Sequence, residues 1–187
     1  MPQEIGFGVP GKVLPHPKDF VQVTEIVPGD MIEIDGMKVT NCENTHYRGE
    51  EDFGKEGYLS LSLRFDLPER SVVVTGDTGP CNALQELAMG ADIMIGEMMD
   101  SAATMVRIRA MNPQMPEERL QMIGSHMAEH HLGPEEIAEL AQTCGIKKVV
   151  SVHFPPGFPN PAAIPAYLER IKAKYDARST REYSPGD

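Results

Sequence analysis

The run Ser71-Val72-Val73-Val74-Thr75-Gly76-Asp77-Thr78-Gly79-Pro80 decides how this chain folds. Three consecutive valines leave no polar face, so the strand is expected to be buried on both sides. Gly76 to Pro80 end it in a turn and leave Asp77 at its downstream end. A short helix follows, with Leu84, Leu87 and Ala88 on one face and Gly90 as its stop. Ile93-Met94-Ile95 is the next strand. The unit reads β-α-β, which sets two parallel strands side by side with a helix crossing between them.

Upstream, the apolar period becomes two. From Tyr58 to Phe65, Leu59, Leu61, Leu63 and Phe65 point one way; Tyr58, Ser60, Ser62 and Arg64 point the other. The leucine side is the expected buried face. Met31–Ile34 and Met37–Cys42 flank Asp35-Gly36, a hairpin signature because both turn positions need positive φ. Phe20 to Val27 is rich in β-formers and predicts one more strand before Pro28-Gly29-Asp30. Residues 1–19, with Gly6, Gly8, Pro10, Gly11, Pro15 and Pro17, read as an N-terminal arm or a segment of something larger, which leaves 20–187 as the domain.

Downstream, residues 98–130 hold seven of the twelve methionines and predict irregular helix. Methionine there is either adaptable core filler or a lid suited to apolar substrates. Pro134 opens a clean helix with Glu135 and Glu136 at its positive end. Ile137, Leu140, Ala141 and Cys144 form its apolar stripe, and Gly145 ends it. Val149 to Val152 reads as a buried strand running into His153. A last helix carries Ile164, Tyr167, Leu168, Ile171 and Tyr175 on one face. The whole is an α/β chain: a mixed sheet flanked by helices.

At 187 residues, 41% hydrophobic and 24% charged, the chain fits one globular domain. It has no apolar run long enough to cross a bilayer and opens without a basic, apolar leader, so no membrane role is expected. Three cysteines without a CxxC pair suit a reducing, cytoplasmic compartment. A net charge of −11 argues against gripping phosphate backbones. Small substrates or protein partners are expected, and nucleic acid is disfavoured.

Three residues stand just past strands: His46, Asp77 and His153. Side chains at carboxyl strand ends converge on the ligand crevice of such sheets. Two imidazoles and a carboxylate are a donor set suited to hydrolytic zinc. Taken singly, a histidine past a strand is more often a turn residue or a satisfied polar group, and Asp77 could sit in a turn and cap the following helix. A second cluster, Ser125-His126-Met127-Ala128-Glu129-His130-His131, precedes the Pro134 helix. His131 near that positive helix end would suit a proton donor; a solvated histidine-rich loop is the other reading.

The run Val74-Thr75-Gly76-Asp77-Thr78-Gly79-Pro80-Cys81 resembles the metallo-β-lactamase superfamily. So do Leu87 to Glu97, His131 to Ala141, and Gly145 to His153. The similarity runs from about Phe20 to about Tyr175 and lies nearest the ribonuclease Z and arylsulfatase-like branch. It implies a metal-dependent hydrolase of ester-like bonds (carboxylic, phosphate or sulfate) with one or two Zn²⁺. His46, Asp77 and His153 match metal ligands, Asp77 bridging. His131 matches the histidine that assists the leaving group. Glu97 matches an acidic residue that supports the site. The family commonly has His before that Glu; here it is Gly96.

The family's HxHxDH motif has no counterpart between Met1 and Thr45. The resemblance therefore implies the C-terminal half of an αββα sandwich. Its bare sheet face would call for a second copy of the chain or a missing partner half. A half-fold that has lost upstream ligands, and with them catalysis, is the alternative.

Overall fold

The computed structural model describes residues 21–47, 58–154 and 164–175. These form a mixed sheet of β1 (Met31–Ile34), β2 (Met37–Glu43), β3 (Leu61–Asp66), β4 (Ser71–Val74), β5 (Ile93–Glu97) and β6 (Lys148–Val152), in sequential order. The strands β1 to β4 pair antiparallel, and β4, β5 and β6 pair parallel. The β1–β2 turn has Asp35 and Gly36 at φ 49° and 80°, as an Asp-Gly hairpin requires. The β4-β5 crossover is α1 (Asn82–Ala88). Three helices, α2 (Ser101–Met111), α3 (Glu117–His130) and α4 (Pro134–Cys144), separate β5 from β6, and α5 (Ile164–Lys174) follows.

The core sits on one side of the sheet. Register puts Val73, Met94 and Val149 on a common face. They pack with Leu84 and Ala88 of α1 and Ile137, Ala141 and Cys144 of α4. The α4 stripe read from the sequence is thus the buried one. Tyr167, Ile171 and Tyr175 complete the cluster. Arg170 anchors α5: its guanidinium meets Glu135 at 2.6 and 2.7 Å and also bonds Asp100, which caps α2 by accepting from Ala103 N–H at 2.9 Å.

Several expectations are corrected. Val21–Val27 forms no strand, and Val23 is 79% exposed. β-Branched residues make a strand only where a neighbour supplies pairing. Strand β3 starts at Leu61, and its fully buried side chain is Ser62, not a leucine. Ser62 faces the helices and donates to the Thr75 carbonyl at 2.5 Å. On the same face, Arg64 donates to the Leu87 and Met89 carbonyls at 2.9 and 2.8 Å and so neutralises the negative end of α1. A polar residue is tolerated inside because it is satisfied there.

The strands read as buried on both faces are not. Val72 and Val74 are half-buried, and Val150 and Val152 are 37% and 38% exposed. The core helices cover the Val73 face, leaving Leu63, Phe65, Val72, Val74, Ile95 and Val150 in register on the other. Residues 98–130 are regular rather than irregular: α2 and α3 are separated by Asn112–Pro116. The start signals were Asp100 and Glu117-Glu118; frequent methionine blurred the period between them. Met98 and Met99 are buried, whereas Met111 and Met122 are exposed. Leu168 faces solvent, not the core. The arm at 1–19 and Phe20 lie outside the described residues. No helix among the described residues is long and apolar enough to cross a membrane.

Candidate metal centre

His46, Asp77, Glu97, His131 and His153 meet at the carboxyl ends of β2, β4, β5 and β6. His46 lies three residues past β2, and Asn44 sets its backbone. Asn44 Oδ1 accepts from His46 N–H at 3.1 Å, while Nδ2 donates to Ser62 Oγ and the Thr75 carbonyl at 3.3 and 3.2 Å. His46 Nδ1 is buried and has no hydrogen-bond partner. Burial lowers the pKa of this ring, and a hydrogen bond to the His130 main chain partly offsets that.

The loop after β4 delivers Asp77 and is clamped on both sides. Thr78 N–H donates to Glu97 Oε1 at 2.8 Å, and Gly79 N–H donates to Thr45 Oγ1 at 2.8 Å. Position 79 has to be glycine, because a Cβ there would lie 1.9 Å from the Glu129 carbonyl oxygen. Past β6 the backbone turns left-handed at His153, φ 55°. This is an uncommon conformation for a side-chain-bearing residue. His153 Nδ1 lies 2.9 Å from Asp77 Oδ1 and 3.6 Å from Glu97 Oε2.

Glu97 ends β5 and is 2% exposed. Its Oε1 also accepts from Leu132 N–H at 3.2 Å, and its Oε2 lies 2.9 Å from His131 Nδ1. His131 is the C-cap residue of α3, two positions before Gly133, the N-cap of α4. At Gly96 a Cβ would stand 3.7 Å from Ile137 Cδ1, so α4 packs directly on that position.

Among the described residues, two groups each have their ligand atoms within 4.8 Å of one another: His46, Asp77 and His131, and Glu97, His131 and His153. The triad His46, Asp77 and His153 is not itself one such group. Asp77 stands between its two histidines, grouped with His46 and in contact with His153. His131, read from sequence as a proton donor, belongs to both groups. Imidazole and carboxylate donors suit zinc. Together with the buried, partnerless His46 Nδ1, they fit a divalent metal.

Asn44, Thr45, Thr78 and His130 also build the site, and sequence reading missed their roles. His130 was visible within the histidine cluster. The others carried no signal, because their long-range partners lie 18 or more positions away.

The family model described as a beta-lactamase superfamily domain matches residues 7–154. Ribonuclease Z of Mycobacterium avium (strain 104) is 26% identical over 166 residues, which is 88% of this chain and 48% of the relative. Ribonuclease Z of Mycobacterium sp. (strain KMS) is 28% identical over 157 residues, 82% and 47% of the two chains. The chain spans about half the length of the curated relatives it matches. Among solved structures, the metallo-beta-lactamase fold protein YhfI from Bacillus subtilis superposes with a TM-score of 0.55 at 12% identity, covering 81% of this chain and 49% of that one. The chain belongs to the beta-lactamase superfamily, and its sheet and helices are those of the metallo-β-lactamase fold.

Proposed function

We propose that this chain carries part of the active site of a metal-dependent hydrolase that cleaves an ester-like bond. The observation behind this reading is the convergence of His46, Asp77, Glu97, His131 and His153, with His46 Nδ1 buried and partnerless. His46, Asp77 and His153 would hold Zn²⁺. A bound zinc supplies Lewis-acid polarisation and makes water nucleophilic near neutral pH. Glu97, held by Thr78 and Leu132 N–H groups, orients His131 through Nδ1. His131 Nε2 then faces the leaving-group oxygen and gives it a proton as the ester bond breaks.

A net charge of −11 favours small esters. The ribonuclease Z relatives favour a second reading, an RNA phosphodiester. The test is elemental analysis of the purified protein, followed by assays on nitrophenyl phosphate diesters, carboxylic esters and sulfates and on a short RNA. Zinc that falls with His153→Ala, together with turnover of one class, supports the proposal. Metal-free protein with undiminished turnover overturns it. Absence of both metal and turnover favours a non-catalytic or partner-dependent half-fold.

The half-exposed apolar sheet face supports a further element of the reading, a covering layer. A second copy of this chain, or polypeptide matching the rest of the relatives' length, would lie on it.

A further inference from the structure

The geometry points to His130 as a positioning residue that sets the spacing of His46 and His131. The inference rests on the metal-site reading above but concerns a residue outside that ligand set. His130 ends α3 and is buried. Its Nδ1 lies 2.6 Å from the Thr45 main-chain oxygen. A carbonyl only accepts, so Nδ1 must carry the proton and donate.

Thr45 is the hub of the site's loops. Its Oγ1 accepts from Gly79 N–H at 2.8 Å, in the Asp77 loop. Its own N–H donates to Thr78 Oγ1 at 3.3 Å. Its carbonyl takes the His130 proton, and its chain neighbour is His46. His130 is likewise the chain neighbour of His131. Two adjacent pairs, Thr45-His46 and His130-His131, are thus tied through this bond, with the His46 and His131 ring centroids 5.3 Å apart. A methyl-rich residue at 130 would leave the buried Thr45 carbonyl unpaired and release that spacing. Partners of this kind typically alter metal affinity by about 10- to 100-fold when lost.

The test uses the full chain, Zn²⁺ itself, and three variants. In His130→Asn the side-chain amide nitrogen occupies the place of Nδ1; in His130→Gln it sits near Nε2; His130→Phe has no donor. Zinc affinity is measured by chelator competition, and histidine ring environments by long-range ¹H–¹⁵N spectra of the metal-free protein. The expected result is affinity about 10- to 100-fold weaker in the Gln and Phe variants and largely restored in Asn. The His46 ring signals should shift in Gln and Phe and return in Asn. Gln binding zinc as tightly as wild type overturns the proposal, even if Phe fails to fold. A wild type that takes up no zinc refutes the metal reading instead. The ring signals then decide alone, and His46 resonances indifferent to position 130 overturn the positioning role.

Discussion

A Cβ at Gly79 would stand 1.9 Å from the main-chain oxygen of Glu129, which makes the Asp77 loop and the end of α3 a contact of bare backbone. Neither partner can yield as a flexible side chain could. Gly79→Ala is therefore expected to destabilise the chain by about 1–3 kcal/mol, in the range of overpacked sites, and to weaken metal uptake. Gly124, inside α3, has only ordinary contacts with Met105 at 3.8 Å. Gly124→Ala should gain about 0.5–1 kcal/mol from helix propensity. Urea unfolding of the two variants checks the pair, and a neutral Gly79→Ala would contradict the close approach.

His131 tests the proton-transfer step. His131→Ala should lower kcat by about 10²-fold on a poor leaving group, with zinc stoichiometry retained. On an activated nitrophenyl ester the loss should shrink, because the departing oxygen needs less help. Equal losses on both, or zinc lost with the imidazole, would make His131 a ligand, as its membership of both donor groups allows.

Asp92 provides a pH test remote from the site. Its carboxylate bonds Lys147 Nζ at 2.5 Å and accepts from Ser71 N–H at 2.7 Å, joining the start of β4 to β5. The Lys147 bond, then the Ser71 backbone, pull its pKa from 3.8 to about 2. A depressed folded-state pKa gives stability that is full above the unfolded value and is lost as pH falls toward 2. Lys147 is largely exposed, so solvent screening reduces the contribution to about 1 kcal/mol. Asp92→Asn should therefore lower stability at pH 7, and its difference from wild type should disappear near pH 2. Denaturant titrations across that window measure the trend; a constant difference would rule it out.

The outer sheet face bears on assembly. Burying several hundred Å² of apolar surface is worth on the order of 10 kcal/mol, comparable with the stability of a whole domain. The folded species is expected to be a dimer through this face or a complex with a covering partner. Replacing Val150 and Val152 with arginine should dissociate it. Sedimentation of the 187-residue chain as a cooperatively folding monomer at micromolar concentration would show that it closes its own core.

Local chemistry wrote much of this architecture into the sequence. Asp35-Gly36 demanded the hairpin, Pro134 and Gly145 bounded α4, and the Val72–Pro80 run placed Asp77 at a strand end. These signals act over a few residues, through φ preferences and apolar period, and need no knowledge of the rest of the chain. Which face of each strand is covered could not be read that way. Ser62 is inside and Val150 outside because the helices lie against the Val73 side, a choice made by crossovers tens of residues away. The site divides along the same line. His46, Asp77 and His153 stood out as strand-end residues. Only the tertiary structure grouped them with His131, set Asp77 between the two histidines, and recruited Asn44, Thr45 and His130. Ligand spacing depends on hydrogen bonds between segments up to 85 positions apart, and no local pattern encodes a distance through space.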